Sequence, residues 1–175
     1  MKYQRLIVCG DSYSEGMSDE MVNGQYRGWA DRIADVMAKD VPGFTYVNLA
    51  VRGKLLKQVI DDQLPVAIDF VTGPDTLLTF HAGASDALRP GYKPEIAQAL
   101  YAEAVRRAAT SGATLMLFTV LERTGNTGRG SDVWAARFGE FNKIVRKVGA
   151  EVGAIIIDAN NETFFSDNRF LAFDR

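Results

Sequence analysis

The chain has a single cysteine, Cys9, and a single histidine, His81, in 175 residues. A lone cysteine closes no intramolecular disulfide, which fits a reducing compartment. A lone histidine leaves no His cluster for a zinc site. Neither sign of charge dominates: 20 Lys and Arg face 22 Asp and Glu, for a net charge of −2. General electrostatic attraction to nucleic acid or to an anionic membrane is therefore not expected. No stretch approaches the ~20 apolar residues that cross a bilayer. The run Leu6-Ile7-Val8-Cys9 is too short for a signal-peptide core, and Gly-Asp-Ser follows it where a small-residue cleavage site would stand. The expected location is the cytoplasm. Repeats, low-complexity tracts and linkers are also missing.

What is present is ordinary globular material, 47% hydrophobic and 24% charged. At ~100–200 residues per domain, residues 1–175 read as one domain. A chain of this length buries roughly two-thirds of its unfolded surface and needs no covalent or metal staple.

Short apolar runs alternate with longer helical patterns. Tyr3–Cys9, Phe44–Leu49, Thr76–His81, Leu115–Leu121 and Ala154–Ile157 read as strands. Between them, Gly28–Lys39 reads as a helix with Trp29, Ile33 and Val36/Met37 on one stripe. Leu55–Phe70 is helical, with Pro65 expected to kink or split it. A helix opening at Pro94 carries the stripe Ile96, Leu100, Ala104. Another, capped by Ser131 or Asp132, carries Trp134, Phe138, Phe141, Val145 and Val148. Strands alternating with helices predict an α/β fold, a parallel sheet covered on both faces. Ligands in such folds bind outside the carboxyl ends of the strands.

The first such end is Gly10-Asp11-Ser12-Tyr13-Ser14-Glu15-Gly16. By itself it reads first as a tight strand-to-helix turn, with a turn presenting Ser12 as a nucleophile as the alternative. It is neither Gly-x-Ser-x-Gly nor a glycine-rich nucleotide cradle. At the second end, Gly53 is either a loop glycine or a backbone N–H free to face an oxyanion. At the third, Gly83-Ala84-Ser85-Asp86, the polar groups either face the same crevice or brace the loop.

Taken together, Gly-Asp-Ser, Asn48-x-Ala50-x-x-Gly53 and Gly83-x-x-Asp86 resemble the SGNH, or GDSL, hydrolase family, over residues 3–175. Arg27-Gly28-Trp29-Ala30-Asp31, Arg52-Gly53-Lys54-Leu55-Leu56 and Asp86-Ala87-Leu88-Arg89-Pro90 are further echoes of its bacterial lipases and acylhydrolases. The resemblance implies a flavodoxin-like three-layer α/β/α sandwich with five parallel strands in the order 2-1-3-4-5. It implies a serine ester hydrolase acting on a small-molecule acyl ester, without metal or organic cofactor. Ser12 matches the nucleophile, and the N–H groups of Ser12 and Gly53 match two oxyanion donors.

Two positions depart from the family pattern. The third donor, an Asn in Gly-x-Asn-Asp, is replaced by Ser85. Of the closing Asp-x-x-His, Asp174 matches the Asp, and the His would fall two residues past Arg175. Two explanations stand: a piece of a longer hydrolase that lacks its last helix, or a catalytically degenerate protein with a binding role. A flavin-binding reading is opposed by Asp11 and Glu15, which would repel phosphate. His81 reads as a strand or crevice residue and Cys9 as buried filler. Phe164, Phe165, Phe170 and Phe173 read as packing or an acyl pocket. The loop Glu122–Gly130, with Arg123 and Arg129, reads as a solvated loop or a substrate rim.

Overall fold

A computed structural model describes residues 3–122 and 131–162. In chain order the elements are β1 (Arg5–Gly10), α1 (Ser12–Glu15), β2 (Met21–Val22), β3 (Gln25–Tyr26), α2 (Trp29–Asp40), β4 (Thr45–Asn48), α3 (Leu56–Gln58), a π-helical turn (Val59–Gln63), α4 (Leu64–Asp69), β5 (Thr76–His81), α5 (Ala84–Ala87), α6 (Pro94–Ala109), β6 (Thr114–Phe118), α7 (Ser131–Val152), β7 (Ile155–Ile157) and a 3₁₀ turn (Ala159–Asn161). Five strands form one parallel sheet in the order β4-β1-β5-β6-β7. Counting only the sheet's own strands along the chain, that order is 2-1-3-4-5, as expected.

Alternation along the strands sorts side chains to two faces. Ile7, Cys9, Leu78, Phe80 and Leu117 point toward α3, α4, α6 and α7 and join Leu56, Leu64, Tyr101, Val105 and Phe141 in the larger core. Leu6, Val8 and Leu77 point the other way, under Ala30 and Ala34 of α2. This is the three-layer arrangement.

Two helical stripes lie elsewhere than the sequence pattern suggests. In α2 the buried residues are Ala30 and Ala34, with Trp29 and Met37 packed beside them, while Ile33 and Val36 are exposed. In α6 the buried face is Ala97, Tyr101, Ala104, Val105 and Ala108, with Ile96 outside. Alanines let these helices sit close to their neighbours, so the small residues mark the contact and the large apolar ones flank it.

Pro65 splits its helix by a specific device. Pro65 has no N–H and its ring crowds the carbonyl four residues back. The ladder widens just before it: Leu64 N–H reaches Val59 O, five residues back, which defines the π turn. Gln63, the last residue of that turn, is buried.

The hairpin β2–β3 was not signalled by apolar patterning, because Met21, Val22 and Gln25 are exposed. Its turn, Asn23-Gly24, has φ of 54° and 80°, and Val22 pairs with Gln25. An Asn-Gly pair with both φ positive is the preferred two-residue hairpin turn. The fourth parallel strand stops at Phe118, short of Leu121. Past it, the Val120 N–H and C=O bond the Asn142 side-chain amide at 2.8 and 2.7 Å.

Candidate active site

Because β4, β1 and β5 are neighbours, the segments following them share one edge of the sheet. At the centre, β1 ends on Gly10. A Cβ there would lie 2.6 Å from His81 O and 2.7 Å from Ser14 Oγ, so only glycine lets the chain turn this close to β5. Asp11, 2% exposed, caps α1 through Oδ1, which accepts from the Tyr13 N–H at 3.4 Å. Ser12 is the first residue of that helix.

Ser85 reaches this turn directly. Its hydroxyl donates to Asp11 Oδ2 at 2.9 Å. Its helix, α5, begins after Gly83, whose φ of +110° and close approach to Phe141 admit no side chain. Next to it, Asp86 Oδ2 accepts from the Leu56 N–H at 2.7 Å and so holds the start of α3. Burial pushes the Asp86 carboxyl above its ordinary range, and the Leu56 N–H acts against that rise. The sequence left open whether Asp86 faces the crevice or braces the loop; it braces.

Gly53 has φ +75° and its Cβ direction is open space. Its loop is fastened to the Ser12 turn from both sides. Glu15 Oε2 accepts the Arg52 backbone N–H at 2.8 Å, and the Arg52 guanidinium meets Glu15 Oε1 at 2.7 Å. The same guanidinium lies over the Tyr26 ring, 4.9 Å from its centre. Asn48 Nδ2 donates to Ser14 O at 2.8 Å while its Oδ1 accepts from the Ala50 N–H at 3.0 Å. The Val51 N–H donates to Gly10 O at 3.3 Å. Ser12, Gly53 and Ser85 thus sit on three segments tied to each other by hydrogen bonds.

His81 is 5% exposed. Its ring packs 4.8 Å from Tyr13 and edge-on at 5.9 Å to Phe118, in a cluster that includes Trp29. This is the setting of a packed strand residue. Burial lifts the Cys9 thiol to about 12, which keeps it an inert thiol in the core. Asp174, Arg123, Arg129, Phe164, Phe165, Phe170 and Phe173 lie outside the described residues.

A second polar network stands where β6 and β7 end. Thr119 Oγ1 donates to Asp158 Oδ1 at 2.9 Å, and Arg146 Nε donates to Asp158 Oδ2 at 2.7 Å. The Asn160 amide joins Val120 O and the Glu122 N–H. Arg146, chiefly, holds the Asp158 carboxyl down at about 2.

Sequence reasoning missed three residues that shape this edge. Asn48 lies inside the Asn-x-Ala-x-x-Gly motif without a role of its own, and in the sequence Glu15 stands only as a charge hostile to phosphate. Gln63 belongs to no motif, although a glutamine among Leu56, Val59, Leu64 and Ala67 on a helix's apolar side is itself a signal. Among the described residues, no group of three or more His, Cys, Asp or Glu side chains is placed to hold a metal ion, and no helix is long and apolar enough to cross a membrane.

The fold has many solved counterparts. Axe2, an acetylxylan esterase from Geobacillus stearothermophilus, superposes with TM-score 0.74 at 16% identity, over 100% of this chain and 88% of that one. LAE5, an α/β hydrolase enzyme from the metagenome of Lake Arreo, gives 0.74 at 17%, over 98% and 86%. A member of the lipolytic protein G-D-S-L family from Veillonella parvula gives 0.72 at 20%, over 95% and 83%. No curated protein matches the sequence. Residues 8–174 match the GDSL-like lipase/acylhydrolase family, a span that takes in all three strand-end segments, and the chain belongs to that family.

Proposed function

We propose that this protein is a serine ester hydrolase working through an acyl-enzyme on Ser12. The observation that carries the reading is the joining of three strand-end segments around the Ser12 turn: Ser85 to Asp11, and the Gly53 loop to Glu15. Ser12 Oγ attacks the ester carbonyl carbon, and the carbonyl electron pair moves onto oxygen. The N–H groups of Ser12 and Gly53 stabilise that oxyanion as it forms. Collapse expels the alcohol, which takes the proton that a base removed from Ser12. Water then attacks the acyl-enzyme, releases the acid and returns the proton to Ser12. Asp174 is the residue assigned to orient the base, as the family pattern implies.

The substrate class is a small acyl ester in the cytoplasm. The printed name of Axe2 concerns acetylated xylan, so acetyl esters are the first substrates to try. The test is hydrolysis of p-nitrophenyl acetate by the wild type against Ser12→Ala. A rate difference supports the reading, and equal rates overturn it.

A second reading, a binding protein that keeps the crevice without turnover, is favoured by one observation. The Ser85 hydroxyl, at the position of the third donor, is engaged by Asp11. Saturable binding of an acyl ester without Ser12-dependent hydrolysis would select it.

A further inference from the structure

We propose that Gln63 is a positioning residue for the Ser12 turn. Its kinetic consequence rests on the hydrolase reading; its mechanical role does not. Gly10 is the last residue of β1, two before Ser12, and beyond the end of β4 the Val51 N–H still reaches its C=O at 3.3 Å. The Gln63 side chain, 5% exposed, adds a pair of bonds there: Oε1 accepts from the Gly10 N–H at 2.8 Å and Nε2 donates to Gly10 O at 3.0 Å. A side-chain amide presents one acceptor and one donor side by side, the complement of one residue's backbone pair. The orientation of the amide follows from the backbone, since an N–H needs an acceptor and a C=O needs a donor.

Two further features fit a positioning role better than simple burial. The amide comes from the end of the π turn, and such turns concentrate at functional sites. Gly10 is also confined on its other flank, where His81 O and Ser14 Oγ fill the Cβ position. With Gln63 on one side and β5 on the other, the peptide before Asp11 cannot tilt, and the start of α1 is aimed. Asn142 holds Val120 in the same two-bond way at the end of β6, so the fold uses this device twice.

The test compares wild type with Gln63→Met, which keeps length and apolar volume but loses both hydrogen bonds, and with Gln63→Asn, which keeps the amide but falls one methylene short. Val105→Ala on α6 is the comparison for lost stability without a lost clamp. Three quantities are measured: kcat and KM on p-nitrophenyl acetate, melting temperature, and amide exchange at Glu15 and Gly16, whose N–H groups bond Asp11 O and Ser12 O. Both Gln63 variants should lose on the order of 10- to 100-fold in kcat with little change in KM, the expected effect of a misplaced reacting group. Exchange at Glu15 and Gly16 should quicken. Val105→Ala should lower the melting temperature and leave kcat and that exchange as they were.

Wild-type kcat and exchange in either Gln63 variant would overturn the proposal, as would an equal kcat loss in Val105→Ala. If wild type and Ser12→Ala hydrolyse alike, the hydrolase reading fails and exchange alone decides. Faster exchange in Gln63→Met at Glu15 and Gly16 then upholds the clamp, and unchanged exchange sinks it.

Discussion

The Ser85 hydroxyl gives its one proton to Asp11 Oδ2, 2.9 Å away. While it does so, that proton serves no oxyanion. The hydroxyl at the family's third-donor position is thereby turned toward Asp11, the residue before Ser12. Ser85→Ala should therefore cost less than about tenfold in kcat/KM, well short of the ~10²–10³ that one oxyanion donor contributes. It should also lower stability by about 1–3 kcal/mol, because Asp11 is buried and loses a partner. Ser85→Asn should raise the rate on short esters, with the same ~10²–10³ as ceiling. Steady-state kinetics and urea unfolding of both variants check this. A fall in rate for Ser85→Asn would mean the crevice has adapted to serine.

His81 should not serve as the base for Ser12. The sole histidine, His81, is enclosed by Tyr13 and Phe118 instead of standing in the open crevice. His81→Ala should therefore leave the rate on p-nitrophenyl acetate unchanged, while Ser12→Ala should lower it. Strong hydrolysis that vanishes with His81→Ala would assign the base to His81 instead.

Gly83 and Gly53 both have positive φ yet should respond differently to alanine. At Gly83 a Cβ would lie 2.3 Å from Phe141 Cζ with φ +110°. Overpacking and backbone strain together should cost about 2–5 kcal/mol. At Gly53 a Cβ meets nothing within 4 Å, leaving only the left-handed strain, about 1–2 kcal/mol. Thermal unfolding of the two variants gives the comparison, and equal losses would contradict it.

The Asp158 carboxyl predicts a pH dependence. Its folded pKa, about 2, lies below the ordinary 3.8, so the unfolded chain holds the proton more tightly. Stability from this group is fully present above pH ~4 and is lost as pH falls through about 2. Arg146 is 40% exposed, so solvent screening brings the contribution to about 1–2 kcal/mol. Asp158→Asn should be less stable than wild type at pH 7 by that amount and indistinguishable near pH 2. A constant difference across that range would rule the ion pair out as the cause.

The five parallel strands and the three segments at the site were legible because each is written locally, whereas the strand order came only with the family resemblance. An apolar run followed by Gly-Asp-Ser, or by Asn-x-Ala-x-x-Gly, needs no knowledge of its neighbours. The helix faces were harder. In α2 and α6 alanines make the contact, and a pattern read by large residues alone turns toward Ile33, Val36 and Ile96. The Gln63–Gly10 and Ser85–Asp11 pairs are 53 and 74 residues apart in the chain, and no local pattern encodes either. Even so, a polar residue on an apolar stripe and an Asn-Gly dipeptide were there to be read.

The π turn also fixes how this segment tolerates changes in length. A π turn holds one residue more than an α turn would, and each residue of an α-helix advances the chain by ~100°. Deleting one residue within Val59–Gln63 would restore regular winding and keep α3 and α4 in phase, so Leu56 would keep its place in the core and its bond to Asp86. With the wider turn closed, however, the Gln63 amide would no longer stand opposite Gly10. A deletion that looks harmless by helix propensity would therefore release the end of β1. In an indel scan, residues 59–63 should be as intolerant as the Ser12 turn itself, and the tip of the β2–β3 hairpin far more permissive.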